Sequence, residues 1–365
     1  MHAVAAHEDR NVGLARAVRA HSSEVQPEVL SGEFLQPVVG IGHVGHHVAM
    51  TAARAPRVAL MPEGVRPWIA DAIRAGGGDV VGRSELSTAD VLVWADPLHV
   101  GDLDDLLGGD GAGIQWVQLP YAGVEPFAGV IAGHDQLVWT CAKGVYAEPV
   151  AEHALMLLLA GLRGLGTYGR ASTWLPPQGT NLLGAKIVIL GGGGITESLL
   201  RLLAPFHADV TVVRRHPDPA APMVGASRVV DVSDLDDALT AAVGVVLALA
   251  LTPETHGIMG RDQLARLGPN SWIVNVARGG HIVTADLVEA LQSGRIGGAA
   301  LDVTDPEPLP EGHPLWSMPN CIITPHVGNT PEMAVPLLAA RITENLRRWR
   351  AGEPLLGPVD PTLGY

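Results

Sequence analysis

From Arg57 onward, short unbroken apolar runs alternate with stretches of helical spacing. Val58 to Met61, Val91 to Trp94, Ile114 to Leu119 and Leu137 to Cys141 have the length of buried strands. Pro67 to Ala75 and Leu103 to Leu107 lie between them with helical spacing. The alternation predicts βαβ units and a parallel sheet. Glu148 to Leu162 is apolar on nearly all sides, which predicts a helix buried between two bodies. A second α/β series starts at Lys186, with strands over 187–190, 209–213, 243–249, 271–276, 296–301 and 321–324. Helices are predicted over 195–203, 233–241, 285–293 and 332–350, the last long enough to return to the first body.

The domain organisation that follows is discontinuous. Residues 56–148 together with 332–365 form a substrate domain, and 149–331 form a dinucleotide-binding domain that includes the junction helix. Residues 1–55 have no sustained period of either kind and read as a disordered extension. Met50 would serve as a later start. His43, His46 and His47 lie in this segment without a cysteine or acidic partner, so no metal site is expected.

Composition narrows the function classes. With 47% hydrophobic and 17% charged residues, the chain has the balance of a folded globular protein. Leu155 to Gly161 is apolar but too short to span a bilayer. Two cysteines, Cys141 and Cys321, cannot build a disulfide framework, which points to a reducing cytoplasm. The formal charge of −14 argues against nucleic acid or an anionic membrane as the main partner.

Gly191-Gly192-Gly193-Gly194-Ile195-Thr196 joins a predicted strand to a predicted helix. Glycines there let the backbone approach a pyrophosphate, while amides at the helix start stabilise its charge. Gly191, Gly193, Gly194 and Ile195 are the candidate contacts. Thr196 stands where a third glycine normally permits close packing of helix on strand, so a slightly displaced helix is expected. Its hydroxyl could alternatively reach a phosphate oxygen. An acidic residue for the adenosine ribose is expected about twenty positions on, yet Arg214 and Arg215 stand there. Guanidinium groups bind a 2′-phosphate where a carboxylate repels it, so NADP(H) is predicted over NAD(H).

Further motifs carry a family resemblance over residues 57 to 350. Ala151-Glu152-His153-Ala154, Ala248 to Thr255, Asn275 to Gly280, Gly298 to Val303 and Pro325-His326 resemble the D-isomer-specific 2-hydroxyacid dehydrogenases. The resemblance implies two Rossmann-like domains, one flavodoxin-like and one dinucleotide-binding, each on a parallel sheet, with a cleft between them. It implies that Arg278 binds the carboxylate and carbonyl of a 2-oxo acid. His326 would be the acid/base, and Glu307 would orient the imidazole and favour its protonated form. Ala122 and Gly123 would offer backbone amides to the carboxylate, with Tyr121 beside them narrowing the pocket or simply packing. Leu249, Thr252, Val276, Ala277 and Asp302 fall among the cofactor contacts, and a homodimer is implied.

Trp94-Ala95-Asp96-Pro97 occupies the place of a substrate-facing loop that carries a cation in some relatives. None stands there, so a second acidic group on the substrate is not expected. His153 is read as packed, His256, His281 and His313 as solvated, and Cys141 as a small buried residue. The predicted activity is hydride transfer between NADP(H) and a small 2-oxo or D-2-hydroxy acid. A phosphite- or formate-type dehydrogenase and a non-catalytic NAD(P)-sensing protein are the alternatives. Glu307 argues against the formate type, which pairs its histidine with Gln.

Overall fold

The computed structural model describes residues 54–360 apart from 65, 97 and 98. The segment read as a disordered extension, the later start and the histidine trio therefore lie outside the described residues, save for Arg54 and Ala55.

The first sheet comprises β1 (Arg57–Met61), β2 (Asp79–Val81), β3 (Val91–Trp94), β4 (Trp116–Gln118) and β5 (Val138–Thr140). Its order is β2-β1-β3-β4-β5, and all pairs are parallel. The second comprises β6 (Lys186–Leu190), β7 (Asp209–Val213), β8 (Arg228–Val230), β9 (Gly244–Leu247), β10 (Trp272–Asn275), β11 (Gly298–Leu301) and β12 (Cys321–Ile323). Its order is β12-β11-β10-β9-β6-β7-β8, again all parallel.

Strand alternation explains why the apolar runs are unbroken. Ile187, Ile189, Val210, Val212, Val246 and Val274 point into one core. Val188, Leu190, Val213, Val245, Leu247 and Ile273 point into another on the opposite face. The first sheet repeats the pattern, with Ala59, Met61, Leu92 and Trp94 on one face and Val58, Leu60, Val91 and Val93 on the other.

The helix Ala147–Leu162 packs Ala151, Ala154, Leu157, Leu158 and Leu162 on the second sheet. Its Gly161 admits the Trp272 ring, with which a Cβ would collide. The expectation of burial on all sides fails. Leu155 and Leu159 are only partly buried at the margin of the same core, and Met156 is 47% exposed. The last helix, Pro331–Ala351, returns to the first sheet. Leu338, Ile342, Leu346 and Trp349 join the core with Ile69, Ile73 and Trp116. Buried polar groups fix its seat: Asn345 Nδ2 donates to Gln118 Oε1 (3.0 Å) and to the Leu356 carbonyl (3.0 Å). Among the described residues no helix is long and apolar enough to cross a membrane.

Candidate active site

Loops at the carboxyl ends of parallel strands form the ligand crevice of open α/β sheets, and the singled-out residues occupy those ends here. Along the second sheet, His326 follows β12, Asp302 and Glu307 follow β11, and Arg278 follows β10. Leu249 and Thr252 follow β9, Gly191 follows β6, and Arg214 and Arg215 follow β7. Strand order thus puts the cation, acid and imidazole on one half of the edge and the glycine turn on the other.

Arg278 is held by its backbone. Asn275, wholly buried, accepts from the Ala277 amide (3.0 Å) and donates to the Arg278 carbonyl (2.8 Å). Gly279 lies so close to Thr304 that a Cβ would overlap its carbonyl, which joins the loops after β10 and β11. The half-exposed guanidinium rests on the Gly123 backbone, where a Cβ would overlap it, and its Nε stands 3.4 Å from Glu125 Oε1. Arg278 and the Ala122–Gly123 loop therefore meet across the two sheets. Val276 and Ala277 are buried, so only their backbones could face a ligand.

His326 Nδ1 lies 2.7 Å from Glu307 Oε1, and both side chains are exposed to solvent. The His326 backbone is left-handed, with φ 54°. Asp302 holds it there. The Asp302 carbonyl accepts from the His326 amide (2.8 Å), and its carboxylate accepts from the amides of Val327 and Gly328 (2.9 Å each). Thr324 Oγ1 (2.6 Å) and His153 Nε2 (3.2 Å) complete the cage. Burial alone would raise the Asp302 pKa, but hydrogen bonds from His153, Thr324 and the two amides outweigh it and lower it to about 2.

The glycine turn brings bare backbone to the strand edge. Gly191 is left-handed (φ 105°), and a Cβ there would overlap the Ala248 carbonyl. A Cβ at Gly193 would meet only open space, at the start of the helix Gly194–Leu203. Ile195 is partly buried in that helix. Thr196 is fully buried, and its hydroxyl donates to the Gly191 carbonyl at 2.8 Å. It braces the turn, so the alternative of a phosphate contact is set aside. Arg214 lies against Gly192, and Arg215 is exposed beside it. Thr252 Oγ1 donates to Glu254 (2.7 Å). Asn329 Oδ1, three residues past His326, is buried without a hydrogen-bond partner among the described residues. A buried acceptor awaiting a donor fits a ligand on this edge, and no sequence signal singled it out.

One expectation is corrected. His281 is not solvated: it is wholly buried, with Nδ1 2.9 Å from the Arg278 carbonyl and Nε2 3.2 Å from the Ala250 carbonyl. Burial lowers its pKa, and it ties the β9 and β10 loops together. Trp94-Ala95-Asp96-Pro97 carries no cation, as read from the sequence, but Arg66, which follows β1, stands beside Tyr121. Its Nη2 donates to Tyr121 Oη at 2.6 Å. His153 is packed as expected, His256 is exposed, and His313 caps a short helix by accepting from the Leu315 amide. Cys141 is buried, which pushes its thiol pKa up.

The chain is similar to proteins already known. The sequence pattern described as D-isomer specific 2-hydroxyacid dehydrogenase, NAD binding domain, matches residues 154–328. An uncharacterised protein from the proB 3′ region of Corynebacterium melassecola is 36% identical over 258 residues, 69% of this chain and 84% of that one. Glyoxylate/hydroxypyruvate reductase A of Serratia proteamaculans is 34% identical over 230 residues, covering 60% of this chain and 69% of its own. A D-isomer specific 2-hydroxyacid dehydrogenase of Xanthobacter autotrophicus, solved with NADPH and MES, superposes with a TM-score of 0.73 at 28% identity. It covers 86% of this chain and 100% of its own.

Proposed function

The chain belongs to the D-isomer specific 2-hydroxyacid dehydrogenase family, and we propose that it reduces glyoxylate or hydroxypyruvate to the 2-hydroxy acid with NADPH. The 2.7 Å contact of His326 Nδ1 with Glu307 Oε1 carries this reading. With Nδ1 committed to the carboxylate, Nε2 is left to donate a proton to the substrate carbonyl oxygen and to take one back in the reverse direction. Arg278 presents a planar set of donors to the substrate carboxylate, joined by the amides of Ala122 and Gly123. That carboxylate would displace Glu125 from the guanidinium. NADPH, when bound, supplies the hydride. Gly191, Gly193, Gly194 and Ile195 would hold its pyrophosphate, and Arg214 with Arg215 its 2′-phosphate. Leu249, Thr252, Val276, Ala277, Asp302 and Asn329 border the rest of that edge.

In this reading residues 56–148 with 332–365 form the substrate domain and 149–331 the dinucleotide domain. The protein works as a homodimer in the cytoplasm. The apolar groove of Leu155, Met156, Leu159, Leu165 and Tyr168 supports the dimer, and two buried thiols without a disulfide support the compartment.

Following NADPH and NADH absorbance with both 2-oxo acids tests the reading. Turnover is expected with NADPH, at a kcat/KM about tenfold or more above NADH, as charge-assisted hydrogen bonds from two guanidinium groups imply. Retained cofactor binding without turnover on either acid would overturn it in favour of a sensor.

A further inference from the structure

Arg66 and Tyr121 come from loops that only the strand order brings together. β1 and β4 flank β3, so their ends stand about 10 Å apart. The Arg66 side chain bridges that gap across the end of β3, and Nη2 reaches Tyr121 Oη at 2.6 Å. Its backbone is left-handed, φ 50°, although the residue is not glycine. Such strain persists where the surroundings enforce it.

Hydrogen-bond direction gives the pair its chemistry. A guanidinium only donates, so the Tyr121 oxygen accepts, and the phenol's own hydrogen points elsewhere. Burial, the largest influence, raises the Tyr121 pKa, which keeps that hydrogen in place. Among the described residues Tyr121 is the one hydrogen-bond partner of the Arg66 guanidinium, leaving most of its donors for a ligand. Tyr121 stands two residues from Gly123, on which the Arg278 guanidinium rests. Their Cα atoms are thus within about 7 Å, which puts the Arg66–Tyr121 pair and the Arg278 guanidinium on one short loop. The Asp96 charge also acts on Tyr121, opposing that of Arg66. The phenol hydrogen and the remaining guanidinium donors can meet a neutral hydroxyl oxygen.

We propose that Arg66 and Tyr121 form the distal wall of the substrate pocket and select acids bearing a hydroxyl on C3 over their alkyl analogues. This rests on the preceding assignment of Arg278 and Gly123 to the substrate carboxylate. Binding tests it apart from turnover. D-glycerate and D-lactate differ in that hydroxyl, and each forms an unreactive complex with the NADPH-loaded protein, so calorimetry can compare them. The wild type is expected to bind D-glycerate about tenfold or more tightly than D-lactate. Tyr121→Phe, which removes one oxygen and no packing, and Arg66→Met should each bring that ratio towards one. A merely structural role would weaken both acids alike and leave the ratio unchanged. An unchanged ratio in Tyr121→Phe, or no preference in the wild type, overturns the proposal. Failure of the reductase reading would show separately, as absent turnover, while the binding ratio still decides this one.

Discussion

His326 keeps a left-handed backbone because Asp302 binds three consecutive amides, those of His326, Val327 and Gly328. One buried carboxylate thereby fixes the strand end that presents the imidazole. Its lowered folded pKa means that the stability it contributes is complete above the unfolded value of about 4. That contribution is lost as pH falls towards about 2. Asp302→Asn should therefore cost about 1–3 kcal/mol at neutral pH, since an amide leaves one of these donors unpaired. Urea unfolding should show the gap from wild type narrowing by about pH 3, where the carboxylate begins to protonate. An equal gap at both pH values would contradict this role. Sequence motifs pointed to Arg278, Glu307 and His326, but not to the Arg66–Tyr121 pair. A contact spanning fifty-five positions has no local signature. His281 escaped for a related reason: a histidine after two glycines looks like an exposed loop until the β9 and β10 loops close over it.

At the scale of elements, the long apolar runs were legible because both sheets are covered on both faces. The three-residue strands Asp79–Val81 and Arg228–Val230 were not, since they are short edge strands, partly exposed and flanked by glycine or polar residues. The helix Ala147–Leu162 was legible as a helix but misread in its surroundings. Uniform apolarity does not say which neighbour covers each side, and the side holding Leu155, Met156 and Leu159 is only partly covered by the described residues. If a second copy covers it, Met156→Glu should give a monomer by light scattering under conditions where the wild type is a dimer. A wild-type monomer at tens of micromolar, about the range in which a stable dimer persists, would contradict the proposed assembly.

For the whole molecule, the parallel order of the second sheet does the arranging. Placing β10, β11 and β12 side by side gathers residues nearly fifty positions apart onto one edge, and β6 with β7 puts the glycine turn and two arginines on the other half. The α/β class and the family were legible from the alternation and the motifs. The resemblance put Arg278 and Gly123 on one carboxylate, but not Glu125 beside the guanidinium, because that contact depends on how the loops of one sheet face those of the other. The most direct measurement is steady-state reduction of hydroxypyruvate by His326→Ala, with NADPH affinity determined on the same sample. The variant is expected to show kcat lower by about 10²–10⁴-fold with NADPH binding nearly unchanged. Wild-type turnover in the variant, or a loss explained by weakened NADPH binding, would contradict it.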